Sequence, residues 1–405
     1  MSSLTAGPDP AAPDPVVGLE ELLRAIVSPS IPPAESWRPR IARLEPGELE
    51  RLQACCREQH ISLHDPIDLQ LEDLATVRLP SSDRARRQRF VAETLAAAGA
   101  PEACGNWVHL PWERKVVHLL DQETYFEVIT DRNRDKITRE EQRLLRSQRI
   151  GVIGLSVGGE AAVTVAQEHL CGEIVLADFD RLDLSNLNRL GAGFDDLGRN
   201  KAIIVARRIA KIDPYLEVSL LPDGVTEENL DAFLDGLDLV IEECDGLEIK
   251  HLVRRRARER GLNLVFAADE RGFLSVEPYG DRPDLPVFHG RIDGPQPPRA
   301  AFPTPLAFMQ ALTEWMGGWE EISERSRRSL ERIGETHCGY PQLASEARYA
   351  AGQIGHVVRR LLLGERLAPF LGHLDLERLV PTTVDARCRQ APAAAPDRAE
   401  PSDGG

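Results

Sequence analysis

From Arg149 onward, short continuous apolar runs alternate with longer amphipathic ones, and that alternation sets the reading of the chain. Arg149 to Ile153, Glu173 to Asp178, Leu216 to Leu220, Asp238 to Glu242 and Leu262 to Ala267 have the length and the Val/Ile/Leu content of buried strands. Between them, Gly158 to Cys171, Lys201 to Ile212, 227 to 235 and 247 to 260 carry apolar residues at helical spacing. Asp213-Pro214 halts the second of these helices, because proline has no amide hydrogen to donate. Strand and helix repeated in this order predict an α/β fold with a Rossmann-like, mostly parallel sheet and helices on both faces. Thr138, followed three residues later by Glu141, is a capping-box pattern opening a helix over 139 to 147 that leads into the first strand.

On either side the pattern changes. Between 17 and 130 the spacing is mostly helical, as in Leu19, Leu22, Leu23 and Ile26, with proline breaks at 31 to 33, 65 to 66 and 111, which predicts a mainly helical N-terminal region. Phe273 to Tyr279 reads as a further strand, 278 to 304 as a Pro/Gly-rich irregular stretch, and 305 to 316, 320 to 332 and 342 to 363 as helices of a C-terminal extension. Residues 1 to 16 and 390 to 405 hold too little to bury to offset the entropy of ordering, and both are expected to be disordered. The expected divisions are thus 1–16, 17–130, a core over 131–280, 281–389 and a tail over 390–405.

Composition narrows the partners. The 65 acidic side chains against 49 basic ones leave a formal charge of -16, a field that repels polyanions and argues against nucleic acid. Arg254, Arg255, Arg256, Arg258 and Arg260 stand against that balance, and their place between Gly246 and Gly261 reads as a solvated helix face. Cysteines at 55, 56, 104, 171, 244, 338 and 388 form no C-x-x-C pair, which suits reduced thiols in a cytoplasm and supplies no zinc site. No apolar run approaches the roughly 20 residues that span a bilayer, so no membrane insertion is expected.

The chemistry begins at Ile150 to Glu160, IGVIGLSVGGE, where Gly154, Ser156 and Gly159 form G-x-S-x-x-G between a strand and a helix. Such a turn lets backbone N–H groups approach phosphates at the positive end of the helix. Asp178 ends the next strand, nineteen residues beyond Gly159, where a carboxylate meets ribose hydroxyls in dinucleotide-binding folds. Turn and acid together indicate a nucleotide without saying which.

The residues that follow carry a resemblance. Asp178-Phe-Asp180-Arg-Leu-Asp-Leu-Ser185-Asn186-Leu-Asn188-Arg189 resembles the signature D-x-D-x-[VI]-x-x-S-N-L-N-R-Q of the ThiF/MoeB and ubiquitin-activating family, and Gly198-Arg-Asn-Lys201-Ala resembles its G-x-x-K-[AV] helix start. The resemblance covers about 134 to 280. It implies an ATP-dependent adenylyltransferase acting on a carboxylate, such as the C-terminal glycine of a peptide or small carrier protein. It further implies that Gly154, Ser156, Gly159, Asp178, Asp180 and Asn186 bind ATP, that Asn188, Arg189 and Lys201 face the phosphates, and that Asp245, in Glu243-Cys244-Asp245-Gly246, binds magnesium and takes part in catalysis. Arg134, in Asp131-Arg132-Asn133-Arg134-Asp135, matches an arginine that reaches into a partner's site and implies a homodimer. Asp269 to Glu277 and Gly339 to Ser345 look similar to a bacterial branch in which the module is often followed by a nitroreductase-like domain, which is not expected within these 405 residues.

The sequence also departs from the pattern. Leu190 replaces the glutamine after the Asn-Arg pair, and Ser156 and Val157 replace two glycines, which keeps a nucleotide-binding scaffold without turnover as an alternative. An NAD-dependent oxidoreductase would use the same turn and Asp178 but leaves Ser185 to Arg189 and Lys201 without a task. Cys338, beside His337, is a candidate acyl carrier whose alternative is an inert thiol. The terminal Gly404-Gly405 is either a self-presented acceptor or a low-complexity end.

Overall fold

The computed structural model describes residues 16–380, apart from 293 and 338. The expected disorder at 1–16 and 390–405 falls, except for Val16, outside the described residues, as do Cys338 and Gly404-Gly405.

The N-terminal region contains the expected helices, α1 (Leu19–Val27), α2 (Leu49–Glu58), α3 (Ile67–Arg78), α4 (Arg84–Ala97) and α5 (Gln122–Ile129). Helix predominates there, as expected, but a sheet that the spacing did not predict lies beside it. Strands β1 (Val17–Gly18), β2 (Arg40–Arg43), β3 (Ser62–His64), β4 (Asn106–Leu110) and β5 (Lys115–Leu119) form a five-stranded sheet of order β1-β2-β4-β5-β3. The strands escaped the hydropathy pattern because they are short and two of them bury polar residues that alternation assigns to solvent. His118 is fully buried, with Nδ1 at 2.8 Å from Asp65 Oδ1, Nε2 at 2.8 Å from the Cys104 carbonyl and its ring stacked on Trp107. Asn106 donates to Tyr215 Oη at 3.1 Å.

After α6 (Arg139–Leu145), whose Thr138–Glu141 capping box is present, the second sheet begins. It comprises β6 (Arg149–Ile153), β7 (Glu173–Ala177), β8 (Glu217–Leu221), β9 (Leu239–Glu242), β10 (Asn263–Ala268), β11 (Phe273–Glu277) and β12 (Phe370–His373), in the order β12-β11-β10-β9-β6-β7-β8. β8-β7-β6-β9-β10 are parallel, while β11 and the unanticipated β12 add antiparallel pairs at one edge. α7 (Val157–Glu168), α8 (Lys201–Ile212) and, after α11 (Pro305–Glu314) and α12 (Glu324–Leu330), α13 (Ala344–Leu362) cover one face. α9 (Leu230–Leu234) and α10 (Leu247–Arg260) cover the other. The mostly parallel, doubly covered sheet is the expected one, and no helix among the described residues is long and apolar enough to cross a membrane.

The N-terminal unit is fastened to α8. Arg207 donates to the Ser36, Pro33 and Ala34 carbonyls at 2.8 to 3.0 Å and lies over the Trp112 ring, while Lys211 pairs with Glu113 at 2.6 Å. Tyr125 donates to the Ile212 carbonyl at 2.5 Å.

The arginine-rich face of α10 is not solvated throughout. Arg254 is fully buried and joins Glu242 at the end of β9 to Glu277 in β11, its Nε 2.8 Å from Glu277 Oε2. Lys250 Nζ lies 3.1 Å from Glu242 Oε1, and the Phe288 and Trp315 rings flank the guanidinium. Burial alone would raise the Glu242 carboxyl, but Lys250 and Arg254 overrule it and hold it at about 2. Removing one member of such a set leaves buried charge uncompensated, so Arg254→Ala is expected to cost about 3–5 kcal/mol in urea unfolding, against about 0.5 kcal/mol or less for exposed Arg255→Ala. Because the folded-state value of Glu242 lies below its unfolded one, its contribution is complete above pH of about 4.3 and is lost as pH falls towards 2. Acid titration of stability should show that loss in the wild type and a smaller one in Glu242→Gln.

Candidate functional site

The strand order reverses between β6 and β9, and open α/β sheets bind ligands in the crevice beyond the carboxyl ends of strands at such a point. Two turns floor it here. Gly154 has φ of +81°, and a Cβ on it would lie 2.5 Å from the Glu243 carbonyl oxygen and 2.7 Å from the Cys244 nitrogen. Only glycine fits both constraints. Gly159 serves packing, since a Cβ there would meet Val205 of α8 at 3.0 Å. Ser156 is the N-cap of α7 and makes no side-chain cap bond.

Asp178, nearly buried, fastens the next loop to this floor. Its Oδ2 accepts the Leu155 N–H and its Oδ1 the Asp180 N–H, each at 2.7 Å. Burial raises its pKa against those bonds and the nearby Lys201. Lys201 opens α8 with Nζ 2.8 Å from Asp180 Oδ2. Asn186 Oδ1 accepts the Asp183 N–H at 3.1 Å, closing the 3-10 turn Leu184–Asn188. Asn188 donates to the Gln342 carbonyl at 2.7 Å and accepts from Arg189 at 2.9 Å. Arg189 is half-buried, its Nε has no partner, and burial lowers its pKa against the fields of Asp269 and Asp245.

Opposite stand carboxylates. Asp245 is exposed on the turn after β9, whose Cys244 N–H is held by Glu242 Oε1 at 2.9 Å. Asp269, after β10, is pushed up to about 6 by burial, and Glu346, at the start of α13, up to about 7 by burial and the neighbouring Asp269 and Glu270. Glu270 accepts from the Ser323 N–H, Ser326 Oγ and Tyr340 Oη at 2.6 to 2.7 Å.

The structure therefore gathers Gly154, Ser156, Asp178, Asp180, Asn186, Asn188, Arg189, Lys201 and Asp245 around one crevice. It does not bring Arg134 there. Arg134 pairs with Asp131 at 2.5 Å and lines a cavity of about 620 Å³ with Arg78, Arg139 and Arg146, and neighbouring Asn133 bonds the Glu168 carbonyl at the far end of α7 from the glycine turn.

Sequence reasoning missed two supports. Asn200 caps α8 through the Ala202 N–H and donates to the Asp178 and Pro222 carbonyls, joining three segments. Glu160, buried one turn into α7, takes Arg208 in two bonds of 2.8 and 3.1 Å and the Gly191 N–H at 2.8 Å, tethering the loop that carries Arg189. Asn200 sits inside the quoted G-x-x-K stretch and Glu160 beside the last glycine, but nothing in their spacing marks them as clamps. Among the described residues no group of three His, Cys, Asp or Glu side chains is arranged to hold a metal.

Residues 130–281 match the model of the ThiF family. The chain is 40% identical over 310 residues to a Mycobacterium tuberculosis (strain CDC 1551 / Oshkosh) protein called Uncharacterized protein MT1398, covering 74% of this chain and 43% of that one. It is 34% identical over 137 residues to the tRNA threonylcarbamoyladenosine dehydratase of Bacillus subtilis (strain 168), covering 33% and 54%. Ubiquitin-like modifier-activating enzyme 5 of Drosophila sechellia is 28% identical over 165 residues, covering 37% and 40%. The chain thus spans about half or less of the length of each of these relatives.

Two glycines separate strain from crowding at the site. Gly154 and Gly198 both have positive φ, yet a Cβ on Gly198 meets nothing within 4 Å. Gly198→Ala should cost about 1–3 kcal/mol in urea unfolding from backbone strain, and Gly154→Ala measurably more.

Proposed function

The chain carries a ThiF-family domain, and we propose that this domain uses ATP and magnesium to convert a carboxylate into its acyl adenylate. The observation that supports this most is the meeting of the glycine turn, Asp178, Arg189 and Lys201 with Asp245 at the strand-order reversal, although they come from five separate parts of the chain. In the reaction a carboxylate oxygen attacks the α-phosphorus of ATP, the bond to the β-phosphate oxygen breaks, and pyrophosphate leaves. Little covalent chemistry falls to the protein, and catalysis is positioning together with neutralisation of phosphate charge. Each Asp178 oxygen keeps a second lone pair beyond its backbone bond and can take a ribose hydroxyl. Arg189, with an unpaired N–H, meets the α-phosphate, with Asn188 as a neutral donor. Lys201 is held at the rim by Asp180 and exchanges that carboxylate for phosphate.

Magnesium fits this arrangement as an ion carried in with the nucleotide. It is commonly held by one or two carboxylates plus substrate phosphates, and Asp245 is an exposed carboxylate at the crevice. When bound it supplies charge neutralisation on the phosphate oxygens. The activated molecule is a peptide or small carrier protein with a C-terminal glycine, and Arg134, placed away from its own crevice, serves the site of a second copy in a homodimer.

ATP–pyrophosphate exchange with magnesium and glycine-ending peptides tests the reading. Arg189→Ala is expected to lower exchange by about 10²–10³-fold, and unchanged exchange would remove the assignment. ATP binding without exchange under any peptide favours a scaffold, for which Leu190, which lines a small cavity with Leu155 and Lys201, is the motivating departure. If Arg134 acts across the dimer, mixing inactive Arg134→Ala and Arg189→Ala proteins should restore exchange, since one site of each mixed dimer carries neither change. Absence of rescue places Arg134 outside catalysis.

A further inference from the structure

The two stretches similar to one bacterial branch, Asp269 to Glu277 and Gly339 to Ser345, leave the adenylation chemistry without using them, yet the fold brings them together at the crevice. Tyr340 donates to Glu270 Oε2 at 2.7 Å, the Gln342 side chain lies near enough to Asp269 to lower its pKa against burial, and the Gln342 carbonyl accepts from Asn188. The segment 339–343 is therefore a strap between the Asn188–Arg189 loop and the end of β10, and Glu346 follows it at the first turn of α13.

The wall so formed is short of positive charge. Glu270 is satisfied by neutral donors alone. Arg271, the nearest basic residue in sequence, is committed to Asp375 at 2.7 Å and to the Glu321 carbonyl. Asp269 is 7% exposed and its Oδ2 has no partner. A buried carboxylate oxygen without a donor costs free energy unless a ligand supplies one, and beside Glu346 and Glu270 the favoured donor is cationic. Arg189 fills that role only through its field, which lowers the Asp269 carboxyl against burial; its Nη1 is turned to Ser185 and Asn188, and it makes no ion pair with Asp269.

We propose that Asp269 and Glu346, framed by the 339–343 strap, form a subsite for a cationic amine beside the adenylation centre. The inference deepens the adenylation reading and rests on it for the meaning of the neighbouring crevice. The amine belongs either to the molecule whose carboxylate is activated or to a separate acceptor, and both present the same ammonium to Asp269.

Calorimetric binding of three probes, with and without magnesium and the non-hydrolysable analogue AMPCPP, tests this: 6-aminohexanoate, hexylamine and hexanoate. Hexanoate should bind at least tenfold more weakly than 6-aminohexanoate, and Asp269→Asn should weaken 6-aminohexanoate and hexylamine at least tenfold without lowering urea stability. Glu346→Gln should weaken the same two probes. Tighter binding of 6-aminohexanoate than of hexylamine puts the cation on the activated molecule, and equal binding puts it on a separate amine. The proposal is overturned if hexanoate binds equally well, if no amine binds, if Asp269→Asn leaves the amines unaffected, or if that variant loses magnesium instead. Failure of the wild type to bind AMPCPP sinks the adenylation reading, while the nucleotide-free arm still reports on the amine subsite.

Discussion

The crevice depends on one close approach, that of the backbone at Gly154 to the backbone at Glu243 and Cys244. No side chain fits between them, so the turns after β6 and β9 form a single floor, and whatever fixes one fixes the other. Glu242 fixes the second turn from below, through the Cys244 N–H and the buried Lys250 and Arg254. Asp178 fixes the first from the side, through the Leu155 N–H. Asp245 and the glycine turn are thus held in register before any ligand arrives, which is the preorganisation that electrostatic catalysis requires.

Charge is handled in two ways on either side of β9. Beneath it, Glu242 and Glu277 face Lys250 and Arg254 in an aromatic enclosure, and the set is neutral and sealed. Above it, Asp245 and Asp269 act on Arg189 in the loop opposite, and Asp269 and Glu270 in turn raise the Glu346 carboxyl. The first arrangement sustains the sheet edge. The second leaves a field that only an incoming group completes.

Much of this was legible in the sequence. The parallel core followed from strand-length apolar runs alternating with helical ones, and the crevice residues followed from Gly154 to Gly159 and Asp178 to Lys201 read in order. What escaped was coded by polar residues in buried places. The N-terminal sheet hides behind Asn106 and His118, whose partners Tyr215 and Asp65 are distant in sequence. Arg254 read as solvated because helical spacing cannot reveal that Glu242 and Glu277 wait on adjacent strands. Asn200, Glu160 and the strap at 339–343 act through tertiary contacts that no local pattern contains.

The hold of the N-terminal unit on α8 has a mechanical side. The helix is 12 residues long, a stiff rod of about 18 Å, with Lys201 in its first turn and Arg207, Lys211 and Ile212 gripped by residues 33–36, Glu113 and Tyr125 further along. Force applied to the N-terminal sheet is carried along that rod to the end where Lys201 meets Asp180. The N-terminal unit is in this sense a handle, geared to the end of the core where Lys201 and Asp180 meet.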